Sequence, residues 1–324
     1  MRLLDPDIWH EVTAGGIGRT MSPHLRVTPL VPAPALSQIT GADVWLKLES
    51  LQRTGSFKLR GALARLSALS TLHPGARVIT ASAGNHGLGI ALAARTFGLH
   101  ATVLVSALSP AIKRDGIAAL GAQVEIAGPT FDTAEIEARR RATLDPGLFF
   151  VSSFDDDHVI AGNGGHLARE ILEQQPDVQT VMAPMGGGGL CGGLGAFLAP
   201  KGVSVIGVSP AANAAMHQSL SDGRAHSAYT GASTLAEGLE GGVSERTFAL
   251  ARAYVPTIAL VSESEIRKAV AFAYRNLGVV CEPSAAVVVA ALLAHERRMQ
   301  GTRVVAVITG ANLDSSRLDT LLST

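Results

Sequence analysis

Four consecutive glycines, in Met185-Gly186-Gly187-Gly188-Gly189-Leu190, follow the short apolar run Val181–Ala183 and lead into a helical pattern near Leu190. Glycine lets a backbone turn sharply and aim several N–H groups inward, and a helix start adds positive potential, so the segment suits a phosphate. A plain strand-to-helix turn needs one or two glycines rather than four. Gly187, Gly189 and Gly192 also satisfy G-x-G-x-x-G, a dinucleotide pattern that wants an acidic residue at the end of the next strand to hold a ribose hydroxyl. After that next run, Val203–Val208, stand Ser209 and Pro210, and the acid is missing.

Gly55-Ser56-Phe57-Lys58-Leu59-Arg60-Gly61 sets a lysine between two apolar residues, with glycine on both sides. An isolated lysine is ordinarily a solvated surface group. In a partly desolvated turn its pKa falls and its amine can condense with an aldehyde. Ser82-Ala83-Gly84-Asn85-His86-Gly87 joins the run Val78–Ala81 to a helical pattern and offers side-chain donors and exposed amides to a carboxylate. The ordinary alternative is a helix N-cap by Ser82 or Asn85. In Ile308-Thr309-Gly310-Ala311-Asn312-Leu313-Asp314, Thr309 ends a strand and would turn its hydroxyl into a cleft, although alone the segment reads as a strand-ending turn. His86 reads as a helix-start residue more than a general base, Cys191 as a small residue behind the glycines, and Asp155-Asp156-Asp157 as solvated loop and helix-start charges.

The elements that must hold these segments alternate in type. Strands are expected at Val44–Leu48, Val78–Ala81, Thr102–Val105, Val124–Ile126, Leu148–Val151, Val181–Ala183, Val203–Val208 and Val304–Ile308. Helical patterns lie at Ile90–Phe97, Pro110–Leu120, Phe131–Thr143 and Val159–Gln174. Such alternation implies βαβ crossovers and open, twisted, mostly parallel sheets buried on both faces. At 324 residues the chain suggests two α/β domains, a size rule of roughly 150 residues per domain. The expected division is a large domain of residues 1–70 and 156–324 and a small one of residues 71–155, with a ligand cleft between them.

Lys plus Arg and Asp plus Glu each number 27, so the net charge is zero and nothing global favours nucleic acid or an anionic membrane. Apolar residues are 47% of the chain but aromatics only 4%, so packing is aliphatic. Two cysteines, Cys191 and Cys281, build no disulfide framework and form no C-x-x-C zinc pair. Asp5 and Asp7 near the start leave no apolar signal region, and the longest apolar stretch, Ala285–Ala294, falls short of the roughly 20 residues a membrane helix needs. A cytoplasmic location is the expectation.

Together the segments resemble the family of pyridoxal-phosphate enzymes that includes threonine dehydratase and serine racemase, of the tryptophan synthase β-like fold type II. The resemblance covers nearly the whole chain in order. It runs from Val27-Thr28-Pro29-Leu30 through Lys47–Ala62, Ser82–Gly87, Lys113, Gly121-Ala122 and Val159-Ile160-Ala161-Gly162 to the glycine run. Leu235-Ala236-Glu237-Gly238, Glu282-Pro283 and Thr309–Asn312 complete it. It implies that Lys58 is the Schiff-base lysine, with Phe57 near the ring, and that Gly186, Gly187, Gly188, Gly189 and Leu190 hold the cofactor phosphate. It further implies that Asn85 bonds the ring hydroxyl, that Thr309 faces the pyridine nitrogen with Glu282 also at the cofactor, and that Ser82, Ala83, Gly84, Asn85 and His86 bind the substrate carboxylate. The implied reaction removes the Cα proton and β-hydroxyl of L-threonine or L-serine and releases a 2-keto acid and ammonia. A neutral Thr309 leaves the ring a weaker electron sink than a carboxylate would, which favours prompt loss of the leaving group.

Departures from the family pattern sharpen the expectation. Serine racemases carry a second serine where this chain has Ala83, which has no proton to give, so elimination is expected over racemisation. Relatives activated by a divalent cation carry acidic residues where this chain reads Ser209-Pro210-Ala211-Ala212-Asn213-Ala214-Ala215, so no metal is expected there. Glu237, the pair Gly241-Gly242, Ala285, Thr309 and Ala311 depart from the usual residues and leave open a bulkier or acidic substrate such as phenylserine or hydroxyaspartate. Outside the family, a nicotinamide-dependent oxidoreductase rests on the glycine pattern alone. The resemblance also implies a homo-oligomer, and the expected form is short, without a regulatory domain.

Overall fold

Short runs of Val, Ile, Leu and Ala buried on both faces become the strands of two sheets. The computed structural model describes residues 3–294 and 299–323; the extreme ends of the expected large domain (1, 2 and 324) and positions 295–298 lie outside the described residues. In chain order the strands are β1 (Leu30–Pro32), β2 (Asp43–Leu48), β3 (Arg77–Ala81), β4 (His100–Val105), β5 (Gln123–Ile126), β6 (Leu148–Phe150), β7 (Thr180–Pro184), β8 (Ser204–Pro210), β9 (Thr257–Val261) and β10 (Arg303–Ile308).

One compact unit holds Val27–Ser56 and the chain from Gly164 onward. Its six strands run in the order β1-β2-β10-β7-β8-β9. Only β1 is antiparallel, pairing Leu30 with Lys47; β10 lies parallel between β2 and β7, with Val304 opposite both Val44 and Thr180. In a parallel sheet the crossover helices cover both faces, which is why Val304–Ile308 of the central strand is apolar without alternation and wholly buried. Against this sheet lies the helix Pro283–Ala294, apolar all round and buried from Pro283 to Leu292. No helix among the described residues is long and apolar enough to cross a membrane.

The other unit holds Leu4–Arg26 and Phe57–Asn163. Its four parallel strands run β5-β4-β3-β6. The helix Lys58–Leu72 buries Leu59, Ala62, Leu63 and Leu66 in one cluster with Val78, Ile90, Ala94 and Val103. The observed division therefore differs from the expected one. Residues 57–70, 4–26 and 156–163 go with the four-stranded unit, because the apolar face of Lys58–Leu72 finds its partners on Asn85–Phe97 and β3.

Two further differences have simple causes. β1 and β9 were not expected: β1 is a three-residue edge strand ending in proline, and β9 starts exposed at Thr257 and is half-buried from Ile258 to Leu260. The single helix expected at Val159–Gln174 is instead a short helix Asp157–Ile160, a π-helical turn Ala161–His166, and a helix Leu167–Gln174. Gly162, Gly164 and Gly165 make the wide turn possible. Asp156 caps the first piece by accepting from Val159 N at 3.1 Å.

Candidate active site

In the four-stranded unit the site segments follow β3 and β6, which are sheet neighbours. Ala81 ends β3, and the chain turns through Ser82–Gly84 into the helix Asn85–Phe97. The N-cap is Gly84, with no side-chain cap bond, and Ser82 Oγ accepts from Gly84 N at 3.2 Å. Neither Ser82 nor Asn85 is the N-cap of this helix, and its N-cap glycine has no side chain to accept from the first-turn amides. His86 is buried, with Nε2 3.2 Å from the Val151 carbonyl. A carbonyl only accepts, so Nε2 carries the hydrogen, and Nδ1 is left a buried acceptor with no partner among the described residues. Burial, and then the positive charge of Lys58, push the imidazole down to about 3 against the opposing pull of the Val151 carbonyl. His86 is neutral across the physiological range.

Lys58 is the first residue of its helix and is half-buried. Its Nζ donates to the Ser153 carbonyl at 2.8 Å and lies 5.2 Å from the centroid of the Phe57 ring. Lys58, Phe57, Ser82, Ala83, Gly84, Asn85 and His86 thus share one unit. The carbonyls of Val151 and Ser153, just past β6, hold the histidine and the lysine. Sequence reading missed these two acceptors because a backbone carbonyl leaves no residue-type signal.

In the six-stranded unit the remaining segments sit at the C-terminal ends of the neighbouring strands β7 and β10, where ligands bind in open parallel sheets. Met185, just past β7, donates its N–H to Val208 O at 2.8 Å and accepts the Ser209 hydroxyl at 2.6 Å. Ser209 belongs to β8, and this commitment of its hydroxyl removes it as a ribose ligand; the oxidoreductase reading has neither acid nor free hydroxyl there. Gly188 is the N-cap of the helix Gly189–Leu198 at φ +89°, in the left-handed region that favours glycine, and no side chain caps the helix. A Cβ there would stand 2.5 Å from Met216 Cε. A Cβ on Gly186 would stand 2.8 Å from Leu239 Cα. Cys191 packs behind the run, and burial pushes its thiol up to about 12, so it is inert.

Thr309 follows β10 and is buried. Beyond it, Gly310 forms an antiparallel bridge with Ser56 and accepts the N–H of Glu282 at 3.0 Å. Ala311 N donates to Gly55 O at 3.0 Å, and Asn312 Nδ2 donates to Thr54 O at 2.8 Å. Gly55, at φ +72°, lets the chain pass so close that a Cβ would meet Asn312 Oδ1 at 2.5 Å. The segment leading to Lys58 is therefore tied to the Thr309 loop, and Glu282 is tied to the same loop through Gly310.

Mostly parallel sheets, with a lysine and a neutral histidine in the first turns of two helices of one unit and a four-glycine helix start in the other, define an α/β protein of the open-sheet kind. The model of the pyridoxal-phosphate dependent enzyme family matches residues 21–310, and the chain belongs to that family. It is 40% identical over 308 residues to the L-threonine ammonia-lyase of Thermotoga maritima, covering 94% of this chain and 76% of that one. To the catabolic L-threonine dehydratase of Staphylococcus aureus it is 34% identical over 319 residues, covering 95% and 91%. Among solved structures, threonine deaminase isoform 2 from Solanum lycopersicum matches with a TM-score of 0.89 at 33% identity, covering 98% of this chain and 88% of that one. The serine racemase of Dictyostelium discoideum matches with 0.87 at 26%, covering 97% and 100%. The fold is fold type II of the pyridoxal-phosphate enzymes.

Proposed function

We propose that this protein is a pyridoxal-phosphate-dependent ammonia-lyase that converts L-threonine, L-serine or both to the 2-keto acid and ammonia. In this reading Lys58, beside Phe57, would hold the cofactor through its amine, and the amides of Gly186 to Gly189 with Leu190 would hold its phosphate. Asn85 would donate to the ring hydroxyl, Thr309 would face the pyridine nitrogen, Glu282 would support the Thr309 loop through Gly310, and Ser82 to His86 would receive the substrate carboxylate. The observation that carries the reading is the Lys58 amine held on a neutral carbonyl at 2.8 Å, in the same unit as a buried imidazole whose Nδ1 has no partner among the described residues. The names of the relatives at 34–40% identity, ammonia-lyase and dehydratase of L-threonine, support the same reaction.

The residues present suit the cofactor: the uncapped helix start at Gly189 offers amides to a dianion, and the orphaned Nδ1 of His86 offers an acceptor to a donor. When bound, the cofactor supplies the electron sink that lets the Cα–H bond break and the β-substituent leave. The protein's part is to orient and to move one proton. Lys58 would take the Cα proton on its amine, and the Ser153 carbonyl, which accepts from that amine at 2.8 Å, would steady the resulting ammonium. His86, neutral, adds no competing cation beside that amine. Ala83 offers no second acid on the other face, which supports elimination over racemisation. The enzyme is read as cytoplasmic and homo-oligomeric, with an amino acid as its small-molecule partner.

The test is keto-acid release from L-threonine and L-serine by the purified, cofactor-loaded protein, alongside Lys58→Ala. The expected result is release by the parent and loss of the borohydride-fixed cofactor in the variant. A parent that releases no keto acid from either substrate overturns the reading.

A further inference from the structure

The helix that begins at Lys58 has no local cap. Phe57, its N-cap, already sits in the helical region (φ −59°, ψ −22°), and its own side chain makes no cap bond. The first turn is tight, with the Phe57 carbonyl accepting from Arg60 N at 2.9 Å. The next amide, Gly61 N, donates to Asn163 Oδ1 at 2.8 Å, a partner 102 residues away in sequence. Asn163 is 2% exposed, so this bond lies where water cannot replace it.

The π-helical turn Ala161–His166 carries the asparagine to this place, and such turns concentrate at functional sites. The backbone at Gly162 comes close enough to that of Arg60 and Gly61 to demand glycine there, and the Asn163 side chain fills the space a side chain at Gly61 would need. A Cβ on Gly61 would stand 2.7 Å from Asn163 Nδ2, and a Cβ on Gly162 would stand 2.6 Å from Arg60 O and 2.8 Å from Gly61 Cα. Two glycines are thus set against each other so that one side-chain oxygen reaches one buried amide, three residues past Lys58.

We propose that Asn163 is a positioning residue for Lys58: by holding the Gly61 amide it keeps the first turn of the helix tight and so fixes where the lysine amine stands. The proposal rests on the reading of Lys58 as the cofactor lysine. The physical consequence of removing the acceptor is specific. A buried amide left without a partner is costly, and its nearest repair is the ordinary helical bond to the Phe57 carbonyl. That repair relaxes the tight turn and rotates Phe57 and Lys58, moving the amine away from the Ser153 carbonyl.

The experiment compares the cofactor-loaded parent with Asn163→Ala, which removes the acceptor, and Asn163→Asp, which keeps an oxygen in the same place. For the alanine variant the expected result is a kcat about tenfold lower with KM within about threefold, since a misplacement near 1 Å costs up to about a hundredfold in rate. The pH at which the visible absorbance of the lysine-bound cofactor titrates is expected to shift. In the cofactor-free chain, amide exchange across residues 58–64 is expected to speed up about tenfold. The aspartate variant should restore both the titration and the exchange towards the parent. An alanine variant with parental kcat and a parental titration overturns the proposal. So do alanine and aspartate variants impaired equally, with equally lowered thermal midpoints, which would reduce Asn163 to packing. If the alanine variant does not fold, exchange in the parent decides: a Gly61 amide as slow as the helix interior supports the bond, and one as fast as an exposed turn overturns it. Lys58→Ala is run in the same series; a borohydride-fixed cofactor in that variant would overturn the lysine assignment, whereas the exchange result bears on Asn163 alone.

Discussion

His86 makes the stability of this protein depend on acid in a calculable way. The unfolded chain takes a proton on this imidazole near its ordinary value of 6.5, whereas the folded protein refuses it down to about 3. Across that window the unfolded state binds more protons, so stability rises with pH and falls as acid is added. Each pH unit below 6.5 withdraws about 1.4 kcal/mol, so at about pH 5 the loss from this one residue is about 2 kcal/mol. His86→Gln keeps a donor for the Val151 carbonyl but cannot titrate. His158, which burial also holds below its ordinary value, titrates in both proteins and cancels from the comparison. The assay is urea unfolding of the cofactor-free parent and variant at about pH 7.5 and about pH 5, followed by circular dichroism. The expected outcome is a pH-dependent loss smaller in the variant by about 2 kcal/mol. A variant that loses as much stability as the parent, within about 0.5 kcal/mol, refutes the reasoning.

Two substitutions test the close backbone approaches. Gly162→Ala sets a Cβ 2.6 Å from the Arg60 carbonyl, where only backbone can give way, and is expected to cost about 1–3 kcal/mol. A urea midpoint equal to the parent's would contradict it. Gly188→Ala forces a φ of +89° on a residue with a Cβ, against Met216, at about 1–2 kcal/mol of backbone strain. It is expected to weaken pyridoxal phosphate binding about tenfold in a fluorescence titration, and unchanged affinity would show that the helix start tolerates the change.

Much of the architecture was legible in the residues because its causes are local. Aliphatic runs such as Val304–Ile308 announce buried strands, and four glycines after a strand announce a tight strand-to-helix turn with a left-handed residue at the helix start. The ordinary alternative for the Ser82–Gly87 segment, a helix cap by Ser82 or Asn85, is not what forms: the N-cap is Gly84, and capping is decided by backbone dihedrals that residue types do not specify. The expected division at residue 70 failed for a related reason: Lys58–Leu72 has apolar residues on its face, but which unit they join depends on the partners that fold against them.

Residue types and their order determined by themselves the kind of protein this is: a mostly parallel α/β chain of the pyridoxal-phosphate dependent family, with a lysine, a Ser-Ala-Gly-Asn-His loop and a four-glycine turn in a fixed succession. Only the tertiary structure decided what each of those groups touches. Ser153, Val151 and Asn163 act on Lys58, His86 and Gly61 from 65 to 102 residues away, two of them through carbonyl oxygens that every residue possesses. A backbone acceptor has no signature in sequence, and a contact between distant segments exists only once burial has brought their surfaces together.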